Sequence, residues 1–136
     1  MTLFEDQLII KRSTLPGAGK GLFTKKNIMK GTYIVEYKGK VDTWKNTIRS
    51  NIDSRYIFYI TRNKVIDAGS YIKALARYAN DANGLTKKNG LRNNSEYAIK
   101  NSKVYIKATN NIPAGSEILV EYGKEYWDII KQNEAI

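Results

Sequence analysis

An octet in the middle of the chain, RYANDANG at residues 77–84, gathers amides around a single acid. It sets Asp81 between small residues and two asparagines, and Asn93 and Asn94 follow roughly ten positions later. Amide side chains both donate and accept hydrogen bonds, so they satisfy polar groups of either kind. The reason for this cluster has to come from the segments on either side of it.

A second group of chemically useful residues lies near the C-terminus, in ILVEYGKEYW at residues 118–127. Tyr122, Tyr126 and Trp127 fall within six residues, beside Glu121 and Glu125. Any one of these rings is typical of a C-terminal helix that packs into the core. Together they are also able to line an aromatic slot with a phenol at its base.

A glycine-rich stretch, GAGKGLF at residues 17–23, invites comparison with phosphate-binding loops. The P-loop spacing fails because Lys20 is followed by glycine, with no Ser or Thr next to it. The dinucleotide fingerprint requires a helix at this point, and the sequence predicts a strand. Two interpretations remain: a plain glycine turn, or a backbone surface that a ligand approaches closely because glycine has no side chain.

The chain contains no cysteine and no histidine. This excludes disulfides, thiolate zinc sites, Ser-His-Asp triads and Cys-His dyads. A metal site would have to consist of carboxylates, and no aspartate-rich loop has suitable spacing. Chemistry therefore falls to Tyr, Lys, Asp or Glu side chains, to backbone dipoles, or to a bound cofactor.

The length and charge of the chain set its general class. Its 136 residues, 42% of them hydrophobic, fit one domain with a modest core. The net charge of +10 indicates either a nucleic acid or acidic partner, or only a well-solvated Lys- and Asn-rich surface. No apolar stretch approaches the ~20 residues of a membrane span, and no signal-peptide pattern opens the chain. We expect a soluble, intracellular protein.

Alternating apolar patterns predict mostly short strands. They fall at residues 8–10, 33–37, 55–61, 64–68, 95–109 (a hairpin that turns at Asn101-Ser102) and 117–122. Apolar residues within 70–80 recur at helical spacing, enough for about two turns. Residues 42–54 predict a loop or a short helix, and residues 124–132 a closing helix.

These segments, in this order, resemble the SET-domain protein lysine methyltransferases from about residue 8 to about residue 127, most closely the minimal viral and bacterial forms. Most of the resemblance is carried by VIDA, LARY and ATNNIPAGSEILVEYG. It implies a mostly β, SET-domain (β-clip-like) fold of short strands in small sheets, with a knot-like C-terminal crossing and one or two short helices. Residues 1–136 would form a single SET domain, with its core at about 8–127 and an aromatic, helical tail at 124–136.

The resemblance also explains the octet. In the family, an Arg-Phe-x-Asn-His-Ser segment is threaded by the C-terminal part of the chain, beside the methyl donor. Here 77–82 stands in its place, with Asp81-Ala82 where His-Ser is usual, and Asn94 matches a second family asparagine. Backbone buried in such a crossing needs hydrogen-bond partners, which the amides supply.

The cofactor implied by the resemblance is S-adenosylmethionine, with S-adenosylhomocysteine as product and no metal. The Gly-x-Gly segment would contact the donor through its backbone, and Trp127 would cover the adenine. The residues expected at the donor are Gly19, Lys20, Gly21, Arg77, Tyr78, Asn80, Asp81, Tyr122 and Trp127.

The catalytic and substrate residues follow from the same resemblance. Tyr122 matches the family's tyrosine at the methyl-transfer pore, and its phenol would orient the amine or the methyl group. Tyr97 lies where relatives line the lysine channel, and we take it as a second catalytic candidate. Val120 occupies a position that is often aromatic in relatives. Tyr126 is the remaining residue expected at the channel.

We therefore expect an enzyme, an S-adenosylmethionine-dependent protein-lysine N-methyltransferase acting on a histone or another basic, chromatin-associated protein. Two alternatives are a catalytically weak SET-like module that binds peptide or donor, and a small basic β-domain that binds nucleic acid through Lys, Arg and its 10 tyrosines. Partner hypotheses also include DNA at the basic surface and a homodimer, but no membrane. The compartment would be bacterial cytoplasm, or the nucleus of a host cell for a viral or secreted protein.

A basic substrate conflicts with a charge of +10 unless the cleft is locally acidic, or unless the basic face binds DNA while the cleft takes a chromatin or DNA-bound protein. Five of the 13 acids lie in the last twenty residues, which predicts such a cleft: Glu117, Glu121, Glu125, Asp128 and Glu134.

Overall fold

The computed structural model describes residues 3–49, 56–61, 63–71, 73–82 and 90–122. Within these ranges the chain forms nine short strands: β1 Leu8–Arg12, β2 Lys20–Thr24, β3 Tyr33–Glu36, β4 Lys40–Asp42, β5 Ile57–Thr61, β6 Lys64–Asp67, β7 Ser95–Lys100, β8 Lys103–Ala108 and β9 Val120–Glu121. They form three small sheets with the orders β1-β2, β3-β8-β7-β9 and β4-β6-β5. All pairs are antiparallel except β7 and β9. The prediction of a mostly β chain of short strands is confirmed.

The core forms where the inner faces of these sheets meet. β8 alternates as a half-buried strand should, with Val104, Ile106 and Ala108 buried and the residues between them more exposed. β2 is buried along four successive residues, 21–24, because neighbouring segments cover both of its faces. The predicted β strand at the glycine-rich stretch is therefore confirmed.

The β7–β8 hairpin turns at the two residues that the sequence indicates. Asn101 and Ser102 both have positive φ angles, 51° and 64°. Two consecutive left-handed residues match the twist of a two-residue hairpin, and asparagine tolerates this conformation well. The turn sets the register of the pair, in which Tyr97 lies opposite Ile106.

The C-terminal segment 117–122 passes between two earlier segments. On one side, Leu119 pairs in parallel with Asn80, and the Asn80 carbonyl accepts the Val120 N–H at 2.8 Å. On the other side, β9 runs parallel to β7, with Val120 opposite Ser95. Both edges of the segment are thus hydrogen-bonded, which is the crossing that the sequence predicts.

Helices are short. The helix α1, Trp44–Arg49, lies within the stretch for which a loop or a short helix was predicted, and 3₁₀ turns occupy Glu5–Gln7 and Leu75–Tyr78. The expectation of about two helical turns in 70–80 is wrong. Ala79 is extended (φ −71°, ψ 127°), because the chain must straighten before Asn80 pairs with Leu119. The predicted closing helix at 124–132 lies outside the described residues, and no helix within them is long and apolar enough to span a membrane.

Candidate active site

Four aromatic side chains from different segments meet at the end of β9. The ring of Tyr97 stacks on that of Tyr122, with centroids 6.1 Å apart and planes 25° apart. Phe58 meets the Tyr97 ring edge-on at 4.8 Å, and Tyr37 does so at 5.9 Å. The sequence predicts the two tyrosines Tyr97 and Tyr122, and the structure adds Tyr37 and Phe58. We call these four residues the aromatic cluster.

The octet fixes Tyr122 at two atoms. Its phenol O–H donates to the carbonyl oxygen of Ala79. Its backbone N–H donates to Oδ2 of Asp81 at 2.9 Å. The two acceptors, a backbone carbonyl and a side-chain carboxylate, belong to residues two positions apart, so one short segment of the chain holds the tyrosine at both ends. This arrangement orients the phenol within the aromatic cluster.

The glycine segment is tied to the octet by Asn80. The side-chain N–H of Asn80 donates to the Lys20 carbonyl at 3.0 Å and lies 3.4 Å from Oε2 of Glu117. Gly19, beside Lys20, has a φ of +72°, and a side-chain carbon there would meet no atom within 4 Å. The backbone at Gly19 is therefore open on the side that a side chain would occupy.

Sequence reasoning missed the role of Glu117, which is buried. Its Oε1 accepts the Thr14 N–H at 2.9 Å and the Thr14 hydroxyl at 2.6 Å, and its Oε2 accepts the Ser13 hydroxyl at 2.7 Å. A side-chain carbon at Gly21 would lie 2.3 Å from Oε2, so Gly21 has to be a glycine for the carboxylate to fit. We call Glu117 with Ser13, Thr14 and Asn80 the Glu117 junction.

This junction corrects one expectation. The sequence predicts Glu117 as one of the acids of a locally acidic cleft, but its carboxylate is buried and accepts hydrogen bonds from the β1–β2 loop. Glu121 is exposed. Glu125, Asp128 and Glu134 lie outside the described residues. The only sequence signal for the junction was Glu117 itself, an acid at a position that the alternating pattern of the predicted strand 117–122 assigns to the buried face.

Arg77 turns toward the end of β6. Its Nη1 donates to the carbonyls of Ala68 at 2.9 Å and Gly69 at 3.1 Å. Its guanidinium lies 4.0 Å from the ring centroid of Tyr56 and 5.2 Å from that of Tyr78, both within cation–π range. Among the residues that the structure describes, Arg77 Nε is the single buried side-chain N or O without a hydrogen-bond partner.

The other predicted residues fall in three places. Val120 is fully buried in the main core, with Tyr97 and Tyr122 packed against the same core. Asn94 donates to the Glu117 carbonyl and accepts the Leu119 N–H, as a crossing requires. Tyr126 and Trp127 lie outside the described residues, so their roles at the channel and the adenine stay predictions.

The chain belongs to the SET-domain family, whose model matches residues 19–123. A humanized mutant of the Chaetomium thermophilum Polycomb Repressive Complex 2 bound to the inhibitor GSK126 is 25% identical, with a TM-score of 0.69 over 85% of this chain and 15% of that one. An active polycomb repressive complex 2 in the basal state is 26% identical, with a TM-score of 0.69 over 86% and 15%. No curated protein matches the sequence.

A third solved structure shows the fold alone. It is ctPRC2 in an autoinhibited conformation bound to S-adenosylmethionine, 22% identical with a TM-score of 0.69 over 93% of this chain. This chain covers only 17% of that one, and 15% of the two structures above. The likeness is thus to one SET domain within much longer chains, and it confirms the predicted family and fold class.

Proposed function

We propose that this chain is an S-adenosylmethionine-dependent protein-lysine N-methyltransferase. One observation carries the proposal: of three segments that the family resemblance assigns to the reaction, two meet at Tyr122 and the third is joined to them through Asn80. The octet holds both ends of this tyrosine, β7 supplies the stacked Tyr97 ring, and Asn80 joins the octet to the glycine segment. A simple structural domain has no need of such a convergence around one phenol.

Residues of this chain fit the methyl donor. The open backbone at Gly19 suits the close approach of a ligand. The buried Nε–H of Arg77, beside the Tyr78 ring, has a donor to offer to a ligand acceptor. We propose Gly19, Lys20 and Gly21 on one wall and Arg77, Tyr78 and Asn80 on the other, with Trp127 over the adenine. The resemblance implies Asp81 on the second wall as well, but its carboxylate accepts hydrogen bonds from Asn93 and Tyr122.

The aromatic cluster suits the lysine side of the reaction. When bound, S-adenosylmethionine would supply a methyl group on a positively charged sulfur: the neutral lysine amine would bond to the methyl carbon as the carbon–sulfur bond breaks, with S-adenosylhomocysteine as the leaving group. Rings of Tyr37, Phe58 and Tyr97 would desolvate the lysine stem and lower the pKa of its amine, which favours the neutral form. The oriented Tyr122 phenol would position the amine, and positioning supplies much of the rate.

The substrate we propose is a lysine in a histone or another chromatin-associated protein. The outer face of the β7–β8 hairpin supports a route to such a target. Lys100 and Lys107 lie 5.2 Å and 5.3 Å from the Tyr33 ring, and Lys103 lies opposite Lys100 in the register. Lysines interleaved with an aromatic ring suit nucleic acid, so we propose that this basic face binds DNA near the substrate.

The decisive experiment is methyl transfer with labelled S-adenosylmethionine. Purified chain is incubated with core histones, with nucleosomes and with a lysate, and mass spectrometry locates the methylated lysine. We expect a labelled lysine in at least one basic protein. Donor binding without transfer to any protein would favour the weak binding module, and DNA binding without donor binding would favour the nucleic-acid-binding domain. Sedimentation of the same sample tests the homodimer named among the partner hypotheses.

A further inference from the structure

Asp81 stands where the SET family usually has histidine, and its carboxylate points into the protein. The residue is 4% exposed. Its two oxygens take different donors: Oδ1 accepts the side-chain N–H of Asn93 at 2.8 Å, and Oδ2 accepts the backbone N–H of Tyr122 at 2.9 Å. An ionised carboxylate only accepts, so it suits a position that faces two N–H groups.

Asn93 fixes the direction of this carboxylate. While its Nδ2 donates to Asp81, its Oδ1 accepts the N–H of Ala82 at 2.8 Å. One amide thus bridges the side chain of Asp81 and the backbone of the next residue. The carboxylate is held so that Oδ2 faces the Tyr122 N–H, and hydrogen bonds to a charged acceptor are among the strong ones.

The Asp81 contact acts on the same residue that Ala79 holds by the phenol. Tyr122 is the first residue after β9, which ends at Glu121. Without the Asp81 bond, its backbone would be fixed by the β7–β9 pairing only up to Glu96 and Glu121. The phenol direction would then be set by the bond to Ala79 and the stack on Tyr97, both at the far end of a rotatable side chain.

We propose that Asp81 is a positioning residue: through the Tyr122 backbone N–H it sets where the Tyr122 phenol stands in the aromatic cluster. This rests on the proposed methyltransferase function. By this proposal, the aspartate in place of the family histidine does not mark a loss of activity, and it does not contact the methyl donor. The Asp81–Asn93 pair instead forms a second anchor for the candidate catalytic tyrosine.

The test exchanges the hydrogen-bonding partners. Asp81→Asn places one acceptor and one donor opposite two N–H groups, those of the Asn93 side chain and the Tyr122 backbone. One of the two hydrogen bonds is therefore lost. Asn93→Asp alone sets two carboxylates against each other. In the double variant, the amide N–H₂ at position 81 donates to the carboxylate at position 93, and the amide oxygen at position 81 accepts the Tyr122 N–H. The carboxylate at position 93 still accepts the Ala82 N–H.

We expect Asp81→Asn to lower kcat by about tenfold or more, since small misplacements of a catalytic group have effects of this size. The dissociation constant of S-adenosylhomocysteine should change less than about threefold, because the carboxylate faces away from the donor by this proposal. The double variant should recover to within about threefold of wild type. In NMR spectra, the Tyr122 amide proton should move upfield in Asp81→Asn and return in the double variant.

Asp67→Asn is the matched control. Asp67 is also buried, and its Oδ1 accepts the Gly69 N–H at 2.8 Å, a bond that asparagine retains. We expect its kcat and melting temperature to stay close to wild type. An equal loss in this control would mean that removal of any buried charge lowers kcat, which overturns the proposal.

Other outcomes are equally clear. Unchanged kcat in Asp81→Asn, a folded double variant without recovery, or weakened donor binding in place of lowered kcat each contradict the positioning role. If Asp81→Asn does not fold, the double variant carries the same test. An inactive wild-type chain would refute the proposed function, whereas an unperturbed Tyr122 amide in Asp81→Asn would refute this inference alone.

Discussion

At the scale of single residues, Tyr122 combines a phenol that donates to the Ala79 carbonyl with a ring stacked on Tyr97. Phenylalanine keeps the stack and removes the hydrogen bond. We expect Tyr122→Phe to retain donor binding and to lower turnover by roughly two orders of magnitude, as removal of a positioned group does. Steady-state kinetics and calorimetric donor titration measure the two effects.

Tyr105→Phe is the control for this change, because Tyr105 lies on the strand β8 and packs edge-on against Tyr33, away from the aromatic cluster. Its turnover should match wild type. Turnover in Tyr122→Phe within a few fold of wild type would remove Tyr122 from the chemistry.

For the proposed reaction, we expect single residues to decide the number of methyl groups added. Val120, smaller than the aromatic residue common in relatives, is fully buried in the core, while Tyr97 brings a hydroxyl to the cluster. Valine in place of an aromatic residue at position 120 frees more volume than the hydroxyl oxygen of Tyr97 occupies. We expect products beyond monomethyl-lysine, and Tyr97→Phe to shift them further upward while its ring contacts with Phe58 and Tyr122 remain.

Mass spectra of exhaustively methylated substrate check this expectation. A product that stops at one methyl group in wild type would mean that Tyr97, and not Val120, sets the limit. Tyr105→Phe serves again as the matched variant, since it removes a hydroxyl outside the cluster and should leave the product distribution unchanged.

At the scale of elements, the Glu117 junction joins the β1–β2 loop to the octet and the closing segment. In Glu117→Gln an N–H₂ group has to replace one oxygen, and either oxygen faces two donors. We expect a loss of about 1–3 kcal/mol of unfolding free energy, the usual effect of leaving buried groups unpaired. Denaturant unfolding measures this loss. Glu96→Gln, at an exposed residue, is the control, and its free energy of unfolding should stay within about 0.5 kcal/mol of wild type.

Asn80→Ala tests the same junction from the octet, with a similar expected loss and weaker donor binding. Because Asn80 and Glu117 share a contact, the double variant should lose less than the sum of the single losses. Strict additivity would show that the two side chains act independently, and the junction would then not be a unit.

The stability of the segment at the N-terminus of α1 should depend on pH through Asp42. The Asn46 side chain, followed by the Thr43 N–H and Lys40, holds the pKa of Asp42 below its usual range. The folded chain thus binds this proton more weakly than the unfolded chain, so the stabilisation is present above the unfolded pKa of about 3.9 and is lost as the pH falls through the folded pKa.

We therefore expect wild type to melt above Asp42→Asn near neutral pH, and the difference to shrink in strong acid. Melting curves of both proteins from about pH 7 to about pH 3 measure it. A difference that stays constant over this range would show that the carboxylate does not gain from being ionised in the folded state.

At the scale of the whole molecule, the charge of +10 has to be reconciled with the proposed basic substrate. The proposed solution is DNA contact through the face that carries Lys100, Lys103 and Lys107. We expect duplex DNA binding to weaken with salt, and the triple Lys→Gln variant to lose about one unit of the log–log salt slope for each lysine that contacts a phosphate.

Lys25, Lys26 and Lys30 provide a control with the same loss of charge, because they are exposed and lie between β2 and β3. Their triple Lys→Gln variant should keep most of the salt slope. If the two triple variants behave alike, net charge and not the β7–β8 face governs DNA binding.

The sequence by itself determined what depends on neighbours in the chain. Alternation predicted most of the strands, and Asn101-Ser102 predicted the hairpin turn, because both signals are local. Sequence resemblance also singled out Tyr122, Tyr97, Asn80 and Asp81, since these lie in segments of recognisable order. It left the partners of these residues open.

The tertiary structure decided which distant groups meet. Ser13 and Glu117 lie 104 residues apart, and Asp81 and Tyr122 lie 41 apart, so no local pattern reports their hydrogen bonds. The same crossing overrode the helical spacing of residues 70–80, because a short helix is marginal and pairing with Leu119 requires extended backbone. Local preferences give way where a buried backbone group needs a partner that only the fold can bring.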